Sequence, residues 1–285
     1  MNIFSFSILS IIFLASISLS QECDTLRFDS DGSQVIGYFY SVNLPGSPTL
    51  IFTQGFMGTG DIWGIGKTLS SQGINVFMFD FRGCFESEGK QGLMHSQADI
   101  GAALSFIRSG GISTKYKIDP TKIILGGYSF GGHMSMLYAI HHPGINRVIS
   151  ISGGDLGILA EQARTHPDIR NDYTGFFQSI RRPKGPVDFK YDDPMKELLD
   201  NQAFFSICDQ SERLSGTDIL MTGGLDDQVV SMEEYLLPLY RKLKKNKGQN
   251  LQFIVYQTNH SYKNVSDELL KDMSNWIKMN KHSNP

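Results

Sequence analysis

The chain has 285 residues, 40% of them hydrophobic and 19% charged, enough to bury the core of one globular domain with a small insertion. Its 26 Lys and Arg against 29 Asp and Glu leave a formal net charge of −3, so no broad basic field exists to draw in nucleic acid or an anionic membrane. The charge balance suits a small neutral substrate.

The first stretch, Met1 to Ser20, is a run of Ile, Leu, Phe and Ser without a charged side chain, and it ends in Ser18-Leu19-Ser20. It reads as a secretory signal peptide with a small-residue cleavage site, which would leave residues 21 to 285 as the mature domain of a secreted protein. Its n-region lacks Lys and Arg and it is nearly long enough to span a bilayer, so an uncleaved anchor is the alternative, and membrane contact is expected only in that case. Cys23, Cys84 and Cys208 are an odd count for an oxidising compartment: at most one pair forms and no disulfide scaffold is expected. No two of them lie at zinc-ligand spacing and there is no His-Glu-x-x-His, so neither metal nor cofactor is expected.

From Val35 onward, β-rich apolar runs alternate with amphipathic stretches, the pattern of a mostly parallel sheet covered by helices. Strands are predicted at Val35 to Tyr40, Thr49 to Thr53, Asn75 to Phe79, Ile123 to Gly126, Arg147 to Ser152, Asp218 to Thr222 and Leu251 to Tyr256. Helical spacing marks Gln97 to Ser109, Gly132 to Ile140, Met232 to Lys245 and Asp267 to Met279. His133, His141 and His142 fall on one of these helices and its end, where surface or capping histidines are expected. The alternation breaks between Gly154 and Gly216, where Pro167, Pro183, Pro186 and Pro194 stand among many charges. A connection that long in a compact domain is usually functional, and residues 155 to 215 are read as a small helical cap over the C-terminal strand ends; a solvated insertion is the alternative.

The chemistry concentrates around Ile123-Ile124-Leu125-Gly126-Gly127-Tyr128-Ser129-Phe130-Gly131-Gly132, an apolar strand running through G-x-S-x-G into a helix. Such a sharp turn strains the serine backbone and lifts its Oγ clear of the sheet, and Gly127 and Gly131 leave room that a Cβ would fill. Ser129 is therefore the candidate nucleophile.

At this motif the sequence resembles the α/β-hydrolase family, over most of the mature chain. Thr49-Leu50-Ile51-Phe52-Thr53-Gln54-Gly55-Phe56-Met57-Gly58 is similar to the family's strand and His-Gly oxyanion loop, with Gln54 where His is commoner. Phe79-Asp80-Phe81-Arg82-Gly83-Cys84-Phe85-Glu86-Ser87-Glu88-Gly89 resembles its D-x-R-G-x-G-x-S segment, with Phe85 replacing the second glycine. The resemblance implies an α/β-hydrolase fold and a triad in the order Ser, acid, His. His260 follows the last strand, whereas His282 lies in the polar tail, so His260 is the implied base. Ile219-Leu220-Met221-Thr222-Gly223-Gly224-Leu225-Asp226-Asp227-Gln228-Val229-Val230 is similar to the family's strand and G-x-x-D-x-x-V, a register that selects Asp227 over Asp226; Asp155, where some lipases carry the acid, also stays open. The implied oxyanion donors are the backbone N–H groups of Phe56 and Phe130.

A serine nucleophile with such a triad implies acyl transfer to water, with a small-molecule ester or a short peptide as partner. Ester hydrolysis is the first expectation. A serine peptidase of the aminopeptidase or prolyl-oligopeptidase kind is the second, with Glu161, Asp168 and Asp172 available in the cap to grip a peptide amine, and a catalytically silent binding protein on the same scaffold is the third. Two N-x-S/T sequons occur; Asn259-His260-Ser261, centred on the proposed base, is expected to stay bare, and Asn264-Val265-Ser266 is the one open to a glycan.

Overall fold

The structure, a computed structural model, describes residues 23–56, 58–246 and 250–279. The signal segment read at Met1 to Ser20 and the alternative base His282 lie outside the described residues.

Eight strands form one sheet: β1 (Cys23–Ser30), β2 (Ser33–Tyr40), β3 (Thr49–Thr53), β4 (Asn75–Phe79), β5 (Ile123–Tyr128), β6 (Arg147–Ile151), β7 (Asp218–Gly224) and β8 (Asn250–Tyr256). Their spatial order is β1-β2-β4-β3-β5-β6-β7-β8. The hairpin β1/β2 and the β2/β4 pair are antiparallel and every other pair is parallel. The helices are α1 (Ile65–Ser71), α2 (Leu93–Arg108), α3 (Gly110–Lys115), α4 (Phe130–His141), α5 (Leu156–Thr165), α6 (Pro167–Ile180), α7 (Pro194–Asp200), α8 (Gln202–Phe205), α9 (Leu237–Leu243) and α10 (Ser266–Lys278).

Because side chains of a strand alternate between faces, consecutive residues of the central strands feed two separate cores. Ile51, Phe77, Phe79, Leu125 and Val148 pack on one face beneath α2, α4 and α9. Their neighbours Leu50, Phe52, Val76, Met78, Ile124 and Ile149 pack on the other beneath α1 and α10. A strand buried on both faces has no polar side to show, which is why the central strands read as continuous apolar runs.

Sequence periodicity misses β1. Leu26 and Phe28 are the apolar residues that face inward along this edge strand while Thr25, Arg27 and Asp29 are exposed, so its apolar signal is thin. Between β6 and β7 the described residues form helices α5 to α8, joined to the rest by single bridges such as Cys84 to Val187 and Gln91 to Phe189. Glu197 of α7 fastens this helical layer to the body, its carboxylate accepting from the N–H groups of Leu93 (2.7 Å) and Met94 (3.2 Å) at the start of α2. Cys23, Cys84 and Cys208 are all unpaired.

The Arg82 of the D-x-R-G segment is structural. Its Nε and backbone N donate to the fully buried Asp99 carboxylate at 2.6 and 2.9 Å, and its Nη2 donates to Ser30 Oγ at 2.7 Å, joining the β1 end, the loop after β4 and α2. Replacing Asp99 by Asn leaves the buried guanidinium with only the exposed Asp31 as its anionic partner. Asp99→Asn is expected to lower unfolding free energy by about 3 kcal/mol in urea titration, as loss of one member of a buried ion pair does.

Candidate active site

The sharp turn at Ser129 is present at atomic detail. Ser129 has φ 53° and ψ −119°, a strained backbone for a residue with a side chain, between the end of β5 and the first turn of α4. Close packing holds it there: a Cβ on Gly127 would overlap the Thr53 hydroxyl and the Gly131 carbonyl, and one on Gly131 would overlap the Thr53 and Gln54 carbonyl oxygens. Thr53 Oγ1, donating to the carbonyls of Gly126 (3.1 Å) and Gly131 (2.9 Å), ties β3 to this turn.

Ser129, Asp227 and His260 meet in one hydrogen-bonded line. His260 Nε2 lies 2.9 Å from Ser129 Oγ, and His260 Nδ1 lies 2.7 Å from Asp227 Oδ2. The other Asp227 oxygen accepts from the backbone N–H groups of Val229 (2.9 Å) and Val230 (2.8 Å), which fixes the carboxylate plane. Burial alone would push the Asp227 carboxyl upward, but the His260 ring and the Val230 N–H hold it below the usual carboxylate range, so it is an anion at neutral pH.

The competing carboxylates are engaged elsewhere. Asp226 accepts from Gln257 Nε2 at 2.6 Å on the outer side of the loop. Asp155 caps α5, accepting from Gly157 N at 2.7 Å, and takes the Cys208 N–H at 2.6 Å. Of the three histidines expected at a surface or helix end, His133 departs: it is 1% exposed and lines the cavity beside Ser129, because the first turns of α4 enter the core. Burial lowers its pKa to about 4, so its ring is neutral.

The loop that follows β3 carries Phe56, one of the candidate oxyanion donors. Gln54, standing where histidine is commoner, is buried and donates from Nε2 to Gly60 O at 2.6 Å, so its amide closes the loop on itself. Gly55 lies so near the turn that a Cβ there would stand 3.4 Å from Ser129 Cβ. The N–H groups of Phe56 and Phe130 have no hydrogen-bond partner among the described residues, and their rings pack edge to face with centroids 4.7 Å apart.

Three aromatic residues that sequence reasoning passes over hold the His260 loop. Tyr128 donates its hydroxyl to the His260 carbonyl at 2.7 Å, and Trp63 donates Nε1 to the Ser261 carbonyl at 2.8 Å. Tyr262 is fully buried, its hydroxyl within 2.8 Å of Ser152 Oγ and 3.2 Å of Thr222 Oγ1. The only sequence signal for them is that a buried aromatic with a polar tip needs a partner, without saying which one.

This line of side chains opens on a cavity of about 340 Å³ between the strand ends and helices α5 to α7. Its wall is mainly apolar, with Phe56, Phe130, Leu159, Phe176, Phe177 and Met195 among the lining residues. The cap carboxylates Glu161, Asp168 and Asp172 are exposed and line none of it. Among the described residues no group of His, Cys, Asp or Glu is arranged to hold a metal ion.

Residues 48–190 match the sequence profile of the family described as alpha/beta hydrolase fold. A protein of Salmonella typhi, uncharacterized protein YfhR, is 30% identical over 131 residues, which are 42% of this chain and 41% of that protein; the chain thus spans about two fifths of that relative's length. Among solved structures, Est1E from Butyrivibrio proteoclasticus with ferulic acid bound superposes with a TM-score of 0.66 at 19% identity, covering 88% of this chain and 97% of that one. The esterase Pf2001 from Pyrococcus furiosus gives 0.64 at 18% identity over 91% and 90% of the two chains, and DcsB in complex with its substrate analogue gives 0.67 at 18% over 90% and 99%. At such identities the likeness is one of fold.

Two outcomes are expected from this geometry. Tyr128→Phe frees the His260 carbonyl and should lower kcat about fivefold to tenfold in steady-state kinetics, with KM moving less than twofold. Asp80, 1% exposed beneath the loop, accepts from Thr59 (3.0 Å) and Tyr38 (3.1 Å) through one oxygen, yet burial pushes its pKa up to about 6. A carboxyl raised in the folded state binds protons more tightly than the unfolded chain between about pH 4 and 6, so its contribution to stability falls as pH rises through that window. Urea midpoints at pH 4.5 and 7.5 should therefore show Asp80→Asn gaining on the wild type at the higher pH, by at most about 3 kcal/mol.

Proposed function

The chain belongs to the α/β-hydrolase fold family, and from that membership and the site geometry we propose that it is a serine hydrolase cleaving carboxylic esters. The observation that carries this is the hydrogen-bonded line from Ser129 Oγ through the His260 ring to Asp227, opening on a small apolar cavity.

In the proposed cycle the Ser129 oxygen attacks the ester carbonyl carbon as His260 Nε2 takes its proton. Asp227 keeps the proton of the neutral ring on Nδ1, so that Nε2 is the basic nitrogen, and its charge steadies the imidazolium that forms. The oxyanion accepts from the N–H groups of Phe56 and Phe130, each without another partner among the described residues and each worth about 3 kcal/mol by analogy with other oxyanion holes. Collapse of the tetrahedral intermediate breaks the ester C–O bond, and the proton on Nε2 goes to the departing alkoxide. Water, deprotonated by the same nitrogen, then releases the acid and returns Ser129 to its hydroxyl form.

An ester suits the site better than a peptide. A free peptide amine needs a carboxylate within reach, and Glu161, Asp168 and Asp172 are turned to solvent. We also propose secretion, from the apolar run Met1 to Ser20, which N-terminal sequencing of exported protein would check. In that setting Asn259 should carry no glycan, since a sugar beside His260 would crowd the site; the Asn264 amide nitrogen is itself engaged, donating to Gln257 O at 3.0 Å.

The test is hydrolysis of short- and medium-chain 4-nitrophenyl esters beside aminoacyl and prolyl anilides. Ester turnover should fall by about 10⁴-fold or more in Ser129→Ala. Anilides cleaved as well as esters would move the assignment to a peptidase, and wild-type protein inert to both esters and a fluorophosphonate probe would leave a binding scaffold.

A further inference from the structure

Polar groups in an apolar cavity are few, and each is either spent within the protein or kept for the ligand. Around this cavity nearly all are spent. The Tyr128 hydroxyl is on the His260 carbonyl, the Tyr235 hydroxyl donates to Gln162 Oε1 at 2.5 Å, and both Asp155 oxygens take backbone N–H groups. His133 has Nδ1 2.9 Å from Gly154 O, and its Nε2, though unpartnered, is sealed from solvent.

Tyr173 of α6 is the exception. It lines the cavity from the cap side, and its hydroxyl has no hydrogen-bond partner among the described residues. Unlike the sealed His133 Nε2, this hydroxyl is reachable from the cavity, so it is open to a hydrogen bond with whatever occupies that space. We infer that Tyr173 is the specificity-determining residue of this site: its hydroxyl receives a single polar oxygen, such as a hydroxyl or a ketone, on the apolar part of the ester that fills the cavity. The substrate class is thus narrowed from apolar esters to esters whose buried portion is apolar except for one oxygen, an inference that rests on the ester-hydrolase assignment.

Three features fit. The cavity volume of about 340 Å³ is at the small end for small-molecule sites, so a ligand that fills it brings its far end against the cap. The rings of Phe56, Phe176 and Phe177, with centroids 5.4 to 6.3 Å apart, present flat apolar surface beside Tyr173, on the same helix as Phe176 and Phe177. Burial, helped by the Asp227 charge, also pushes the Tyr173 pKa upward, so the group is a neutral O–H donor at physiological pH.

The experiment compares esters differing by one oxygen: 4-nitrophenyl 3-phenylpropanoate with its 3-(4-hydroxyphenyl) counterpart, and 4-nitrophenyl hexanoate with 5-oxohexanoate. In the wild type, the oxygen-bearing member of at least one pair should have the higher kcat/KM by about fivefold to tenfold, and in Tyr173→Phe that ratio should collapse to about one. The corresponding amides are titrated against Ser129→Ala with and without Tyr173→Phe, where the same preference should appear in Kd and vanish with the hydroxyl. A preference absent from both pairs in both measurements, or one that survives Tyr173→Phe, overturns the inference. Absence of any ester turnover by wild type would instead count against the ester-hydrolase assignment, and the amide titration would still decide the role of Tyr173.

Discussion

Everything at this site depends on one steric constraint: the crossing of β3, the end of β5 and the start of α4 so closely that no Cβ fits at Gly127 or Gly131. Backbone strain at Ser129 would relax if the chain had anywhere to go, and the contact with Thr53 and Gln54 removes that freedom. The same approach brings the loop after β3 against Ser129. Compact packing and chemical geometry are one feature here, seen from two sides.

His260 needs a different kind of support, because it sits on a loop rather than on a strand or helix end. Its backbone is held by Tyr128 from the turn itself, by Trp63 from the loop after β3, and by Tyr262 reaching down to Ser152 and Thr222. These anchors start from β5, the β3–α1 connection and the ends of β6 and β7, so the His260 loop is pinned to the same rigid sheet that carries Ser129 and Asp227. A site with its members fixed to one body loses little entropy in reaching the reactive arrangement. The helical layer α5 to α8 is built on other terms. It meets the loop after β4 through single bridges at Cys84 and Gln91, and the Glu197 carboxylate holds it to α2. Such a layer can vary its inner face while the chemistry below stays unchanged, and that is where Tyr173 and the Phe176–Phe177 pair lie.

Much of the fold was legible because buried parallel strands are apolar on both faces, and seven of the eight strands stand out as short hydrophobic runs. The eighth, β1, is an edge strand with half its residues in water, so its composition carries little signal. Within the site, Ser129 was marked by the glycines its turn requires. The choice among Asp155, Asp226 and Asp227 rested on a resemblance in register, since all three follow a strand and composition does not separate them. His133 was misjudged as a surface or capping residue because a helix entering the core looks the same in sequence as one lying on it when its apolar content is high on every side.

The amino-acid sequence by itself determined what depends on short-range geometry: the alternation of strands and helices, the strand-turn-helix around Ser129, and the small residues that turn demands. Tertiary structure decided which side chains converge from distant parts of the chain: that the Asp227 carboxylate meets the His260 ring, that Tyr128 and Trp63 brace the His260 loop, and that the Tyr173 hydroxyl has no partner among the described residues. The reason is physical. Local conformation is set by backbone sterics within a few residues, whereas a hydrogen bond between residues more than a hundred positions apart exists only where packing of the whole sheet fixes both ends.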